Sequence, residues 1–255
     1  MKIKQKNTID MTHGTLWNKL LIFALPLAAS SILQQLFNSV DTAVVGRFAS
    51  SRALAAVGSN SSLIALMINL FIGISLGSNV IISRYIGQKA EEHVKAAIHT
   101  AIVVALCSGI FVLVLGQFIA RPVLTLMGTP KDVLDLAVLY LRIYFLGMPF
   151  IMLYDFSSSI LRSIGDSRRP LYALIAAGII NTGLNLILVI VFHLGVSGVA
   201  IATVVSNIVS SGILFYILLH EQELGRTEKN SDHWRSCRPA GHGLFPCQRL
   251  HPEHD

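Results

Sequence analysis

Apolar runs of about twenty residues or more recur along this chain, and such a run has few fates other than a helix that crosses a bilayer. In lipid no water is present to satisfy the backbone. Each run must therefore close its own hydrogen bonds, and the helix is the form that does so within one segment. Six runs are read: Trp17–Arg47, Ala53–Ile86, Ala96–Ile119, Val133–Leu161, Leu171–Phe192 and Val196–Leu219. The composition agrees, with 53% hydrophobic residues, 13% charged residues and a mean hydropathy of +0.63. A soluble domain built this way would lack polar surface. The fold class is an all-α membrane protein of six transmembrane helices.

The net charge of +6 does not indicate nucleic acid, because the basic residues sit between apolar runs and no basic stripe interleaves with aromatics. They serve as topology signals. Alternate connectors carry ten basic residues (Lys2, Lys4, Lys6, Lys19; Arg84, Lys89, Lys95; Arg162, Arg168, Arg169), whereas the other side carries four, Arg47, Arg52, Arg121 and Lys131. Both termini are expected in the cytoplasm, in a multi-pass protein of the plasma membrane. A cleaved signal peptide is not expected, since the apolar run continues past Ala28-Ala29-Ser30 and five more follow.

The first run carries the residue most in need of explanation. Between Leu20 and Val45 the only charged side chain is Asp41, and an ionisable group at membrane depth costs at least ~2.5–3.5 kcal/mol unless protein or water receives it. Ser30, Gln34, Asn38 and Asp41 follow at intervals of four, four and three, which puts them on one helix face. That face should look into a polar path, and Pro26 offers a place for the helix to bend. The substrate path is expected to pass Gln34, Asn38, Tyr144 and Asp155. Tyr144 and His193 lack spacing partners and by themselves read as packing or interface residues. Asp155, inside the fourth run near Ser158, Ser159 and Arg162, also has a structural reading, in which it pairs with polar groups toward the cytoplasmic end. Arg142 is read as snorkelling from within the fourth run, and Pro149 as a kink. RYIGQKAEEHVK from Arg84 and RPVLTLMGTPKD from Arg121 read as connectors.

After Leu224 the composition shifts abruptly. The segment 225–255 holds His233, His242, His251 and His254 with Cys237 and Cys247, but the spacing fits no zinc pattern. It reads as a disordered or out-of-frame tail, with residues 1–15 as a cytoplasmic N-terminus and 16–224 as the membrane unit.

Four stretches carry a family resemblance: LPLAASSILQQLFNSVDTAVVGR from Leu25, ISRYIGQ from Ile82, LRSIGDSRRP from Leu161 and GVSGVAIATVVSN from Gly195. From Leu16 to about Leu224 the chain resembles the N-terminal half of a multidrug and toxin extrusion (MATE) transporter. The resemblance implies one six-helix lobe of a twelve-helix antiporter that exports organic cations or drugs against a sodium or proton gradient, with no other cofactor and no enzymatic reaction. It places the coupling site on Asp41, Asn181, Asn185 and Thr203. The family pattern has an acid four residues after the Asn of the fifth helix, where this chain has Asn185, so a second carboxylate is missing there. The implied partners are membrane lipid, the organic cation, and a C-terminal lobe or a second copy. A lone lobe is expected to be inactive. The rival readings are a non-transporting membrane fragment or interaction partner, and a lipid-linked precursor flippase, whose cleft would be lined with cationic groups.

Overall fold

The computed structural model describes residues 16–88 and 90–236, with side chains described from 21 to 220 apart from those at 23, 89 and 91. The described residues form seven α-helices and one short π-helical segment. They are α1 (Leu16–Phe48), α2 (Ser51–Gly87), α3 (Glu91–Leu126), α4 (Lys131–Leu146), α5 (Met148–Ser163), α6 (Arg168–Leu186), the π segment Ile187–Val191 and α7 (Gly195–Ser236). Among the described residues four helices are long and apolar enough to cross a membrane: α2, α3, α6 with its π extension, and the first part of α7. The bent pair α4–α5 makes a fifth when taken as one span. The expectation of six also counts α1, which is 33 residues long and continuous across Pro26.

The helix ends follow from local chemistry. Ser50 caps α2 by accepting a hydrogen bond from the Ala53 amide at 3.2 Å, so the α1–α2 link is only Ala49 and Ser50. The two connectors expected to be long are short. The one at Arg84 shrinks because α2 runs to Gly87 and α3 starts at Glu91. In the one at Arg121, α3 passes through Pro122 and stops at Gly128 instead. There the Gly128 amide bonds Thr125 O and the Thr129 amide bonds Leu124 O, both at 3.1 Å, with Gly128 at φ 75°. This is the paired bonding that satisfies the last carbonyls of a helix, and it needs the left-handed conformation glycine adopts freely.

The kink expected at Pro149 falls at Gly147, where α4 and α5 meet at 49°. Proline has no N–H and its ring crowds the carbonyl four residues back, so the helix breaks just before it and restarts with Pro149 in the first turn.

α5 is the centre of the bundle. Phe156 to Leu161 are buried in succession, because α5 is enclosed by α3, α2 and α7. Two glycines of α3 let the bent joint approach. A Cβ at Gly109 would stand 2.5 Å from Pro149 Cα, and one at Gly116 would stand 2.3 Å from Phe145 Cδ2. Polar side chains tie helices together inside the bundle. Asn60, fully buried, donates to Ala56 O and across to Ala137 O at 3.0 Å, and Ser159 donates to Ser75 O at 2.7 Å.

α1 lies at the edge, against α6 and α2. Its contact with α6 is intimate, since a Cβ on Gly178 would fall 1.9 Å from Phe37 Cζ. Leu21, Ile22, Leu25, Ile32 and Leu36 face outward, as lipid-facing side chains do. The N-terminal residues 1–15 and the tail residues 237–255 lie outside the described residues, and 225–236 are the end of α7. The Cys237 and Cys247 metal possibility therefore falls outside them too. Among the described residues no group of three His, Cys, Asp or Glu side chains could hold a metal.

Candidate functional site: an acid-lined cavity among α1, α2, α4, α5, α6 and α7

The polar stripe of α1 opens onto a cavity of about 800 Å³. Gln34, Asn38 and Asp41 all line it. Ser30 does not; it is buried and donates to Pro26 O at 2.8 Å, using the carbonyl one turn back as serines in apolar helices do.

Asp41 reaches α6. Asn185 Nδ2 donates to Asp41 Oδ1 and also to Asn181 Oδ1 at 3.1 Å. Asn181 Nδ2 in turn lies 3.5 Å from Thr203 Oγ1 and from Ser206 Oγ on α7. The four residues assigned to the coupling site are thus brought into one chain of side chains spanning three helices. Asn181 and Asn185 stand one turn apart on α6, and the π segment begins two residues after Asn185. With its amide nitrogen shared between Asp41 and Asn181, Asn185 leaves its own buried Oδ1 without a partner. Asn185 is fully buried and is not itself among the residues that line the cavity.

A second carboxylate enters the same cavity from α5. Asp155 lines it together with Tyr154 on its own helix and Tyr140 and Tyr144 on α4. The rings of Tyr140 and Tyr144 stack at 6.2 Å. Tyr144 shares the cavity wall with both carboxylates and is within electrostatic reach of each. Asp155 Oδ2 is buried and has no hydrogen-bond partner. The pairing with neighbouring polar groups expected from the sequence is not seen: the hydroxyls of Ser157 and Ser158 and Nε of Arg162 are likewise buried without partners, and Ser159 is engaged with α2. Asp155 makes no hydrogen bond to these groups among the described residues, but Arg162, two turns further along α5, lies within its electrostatic reach.

Sequence reasoning passed over Tyr140, Ser206, Asn207 and Ser210, all on the cavity wall. The i, i+4 spacing of Tyr140 with Tyr144 and the run of polar residues down α7 from Thr203 were the available signals. His193 and Arg142 lie off the cavity and are exposed. Arg142 contributes its backbone carbonyl to Gln117 Nε2 at 3.0 Å.

Membrane-length helices gathered round a cavity with two carboxylates define an all-α, multi-pass membrane fold. The MatE family model matches residues 26–187, and the chain belongs to that family. The probable multidrug resistance protein YoeA of Bacillus subtilis is 36% identical over 215 residues, which are 83% of this chain and 46% of that protein. The multidrug export protein MepA of Staphylococcus saprophyticus is 26% identical over 216 residues, covering 85% and 48%. Among solved structures, the outward-facing conformation of a multidrug resistance MATE family transporter superposes with a TM-score of 0.74 at 26% identity over 78% of this chain and 44% of that one. A Pyrococcus furiosus transporter of the same superfamily matches equally well, with a TM-score of 0.74 and 26% identity over 78% and 44%. Its pocket is described as being of reverse polarity, suggesting a different function. The chain spans about half the length of the relatives it matches.

Proposed function

We propose that this lobe belongs to a cation-coupled antiporter that exports organic cations, with a sodium ion or a proton as the coupling cation and Asp41 as the group that takes it up. The observation that carries this reading is the cavity lining, which among the described residues holds Asp41 and Asp155 and no Lys or Arg. A flippase for lipid-linked phosphates would call for the opposite sign. Asp41 is set up for a charge exchange, because Asn185 donates to it and a bound cation and a proton compete for one carboxylate. The work is done in a two-lobed molecule, where this lobe supplies one wall of a cleft that opens alternately to the two sides. One charge moving down 100 mV yields ~2.3 kcal/mol, or roughly a fiftyfold concentration ratio for a neutral solute exchanged against it.

The ten-to-four distribution of basic residues supports cytoplasmic ends in the plasma membrane. The test of function is gradient-driven efflux of a fluorescent organic cation by a two-lobed protein carrying this lobe. Asp41→Asn should reach the membrane in normal amounts and lose gradient dependence. Undiminished efflux would reduce Asp41 to a solvated residue near the end of α1.

A further inference from the structure

We infer that Asp155 is a separate cation subsite in the cavity, holding the charged nitrogen of the organic cation, while the Asp41 network is left to the coupling ion. The inference rests on the reading of the cavity as a cation path and deepens it. Two carboxylates share the space, and they differ in what already occupies them. Asp41 receives a hydrogen bond from Asn185, whose side chain continues the network to Asn181 and Thr203. Asp155 has no hydrogen-bond partner on its buried Oδ2, and among the described residues no basic side chain makes an ion pair with it.

Asp155 is half-buried, lines the cavity and makes no ion pair with a basic side chain among the described residues, so a carboxylate held there away from bulk water is stabilised by a cation that enters the cavity. The surroundings suit an organic cation better than a bare metal ion. Tyr140, Tyr144 and Tyr154 line the cavity with Asp155, and aromatic faces attract alkylated or delocalised cations. The cavity of about 800 Å³ is in the range that holds drug-sized molecules. No cluster of acidic or imidazole ligands completes a metal shell among the described residues. Arg162, two turns further along α5, lies in electrostatic reach of Asp155 and opposes a second positive charge there. Asp155 also supplies a second carboxylate to a cavity to which α6 contributes Asn181 and no acid.

The experiment is equilibrium binding of ethidium, a fluorescent monocation, to the purified 255-residue chain in nanodiscs. Asp155→Asn keeps the shape and removes the charge, and should weaken binding at least about tenfold, as loss of one partner of a desolvated charge pair does. Asp155→Glu should restore most of the affinity, which a merely structural role would not predict. Arg162→Gln should bind as tightly as the parent chain or more tightly, because it removes a competing positive charge. Equal affinity in the parent and Asp155→Asn chains overturns the inference, as does the absence of saturable binding in the parent chain. Loss on Asp41→Asn with retention on Asp155→Asn also overturns it while leaving the export reading intact. The export reading itself fails separately, on gradient-independent efflux in the two-lobed protein.

Discussion

At the scale of single residues the site turns on one amide. Asn185 supplies the nitrogen that serves Asp41 and Asn181 together, so Asn185→Ala strips one half-buried and one buried acceptor of their donor. The expected result is a loss of about 1–3 kcal/mol in lobe stability, read as a lower unfolding midpoint in detergent, together with loss of coupled transport in a two-lobed protein. A midpoint equal to that of the parent chain would mean that water already serves both oxygens. Gly178 is constrained by space. Its missing Cβ is where the Phe37 ring lies, so Gly178→Ala should push α1 off α6 and lower the midpoint by an amount typical of overpacking, about 1–3 kcal/mol. Gly178→Ala combined with Phe37→Leu should recover part of that loss, and a double variant no better than the single would place the damage elsewhere.

At the scale of elements, the break between α4 and α5 is held by glycines on a neighbouring helix. Gly109 lies under the Pro149 backbone, whereas Gly73 in α2 is exposed with open space around its Cα. Gly109→Ala should therefore destabilise the lobe, while Gly73→Ala should be neutral or stabilising by up to about 1 kcal/mol from helix propensity. Thermal unfolding of the two variants side by side checks the contrast, and equal effects would count against the close α3–α5 contact.

The sequence was most legible where one property repeats over a helix. Apolar runs announced the long helices because lipid leaves the backbone no alternative, and the polar period of α1 announced the wall that carries Gln34, Asn38 and Asp41. It was least legible where two signals competed. Pro122 lies in a stretch that reads as a connector, but α3 continues through it to Leu126 and ends at the glycine cap of Gly128. Pro149 was visible as a disruption, yet its effect is displaced to Gly147 because the clash falls on the preceding turn. The π turn after Leu186 and the solitary state of Asp155 had no sequence signal. Both depend on how neighbouring helices pack, and spacing within one helix does not encode that.

For the whole molecule the remaining question is which way the lobe lies in the membrane. The helix order puts the α2–α3 and α5–α6 links on one side, with the α1–α2 and α3–α4 links on the other, when α4 and α5 together make one crossing. The basic residues follow that division. Arg84 stands in the last turn of α2 and Arg168 opens α6, both exposed, whereas Lys131, also exposed, opens α4 on the opposite side. Basic residues near span ends are retained on the cytoplasmic side, so Arg168 should be cytoplasmic and Lys131 external. The α5–α6 turn is also firmly built: Asp166 accepts from the Arg168 and Arg169 amides at 3.0 and 3.2 Å and pairs with the Arg169 guanidinium at 3.0 Å. A cysteine at 168 thus reports a fixed place. In a chain whose three native cysteines are replaced by serine, Lys131→Cys should react with a membrane-impermeant maleimide added to intact cells, and Arg168→Cys only after the membrane is opened. Labelling of 168 from outside, with 131 protected, would invert the lobe and place Asp41, seven residues before the end of α1, near the cytoplasmic face.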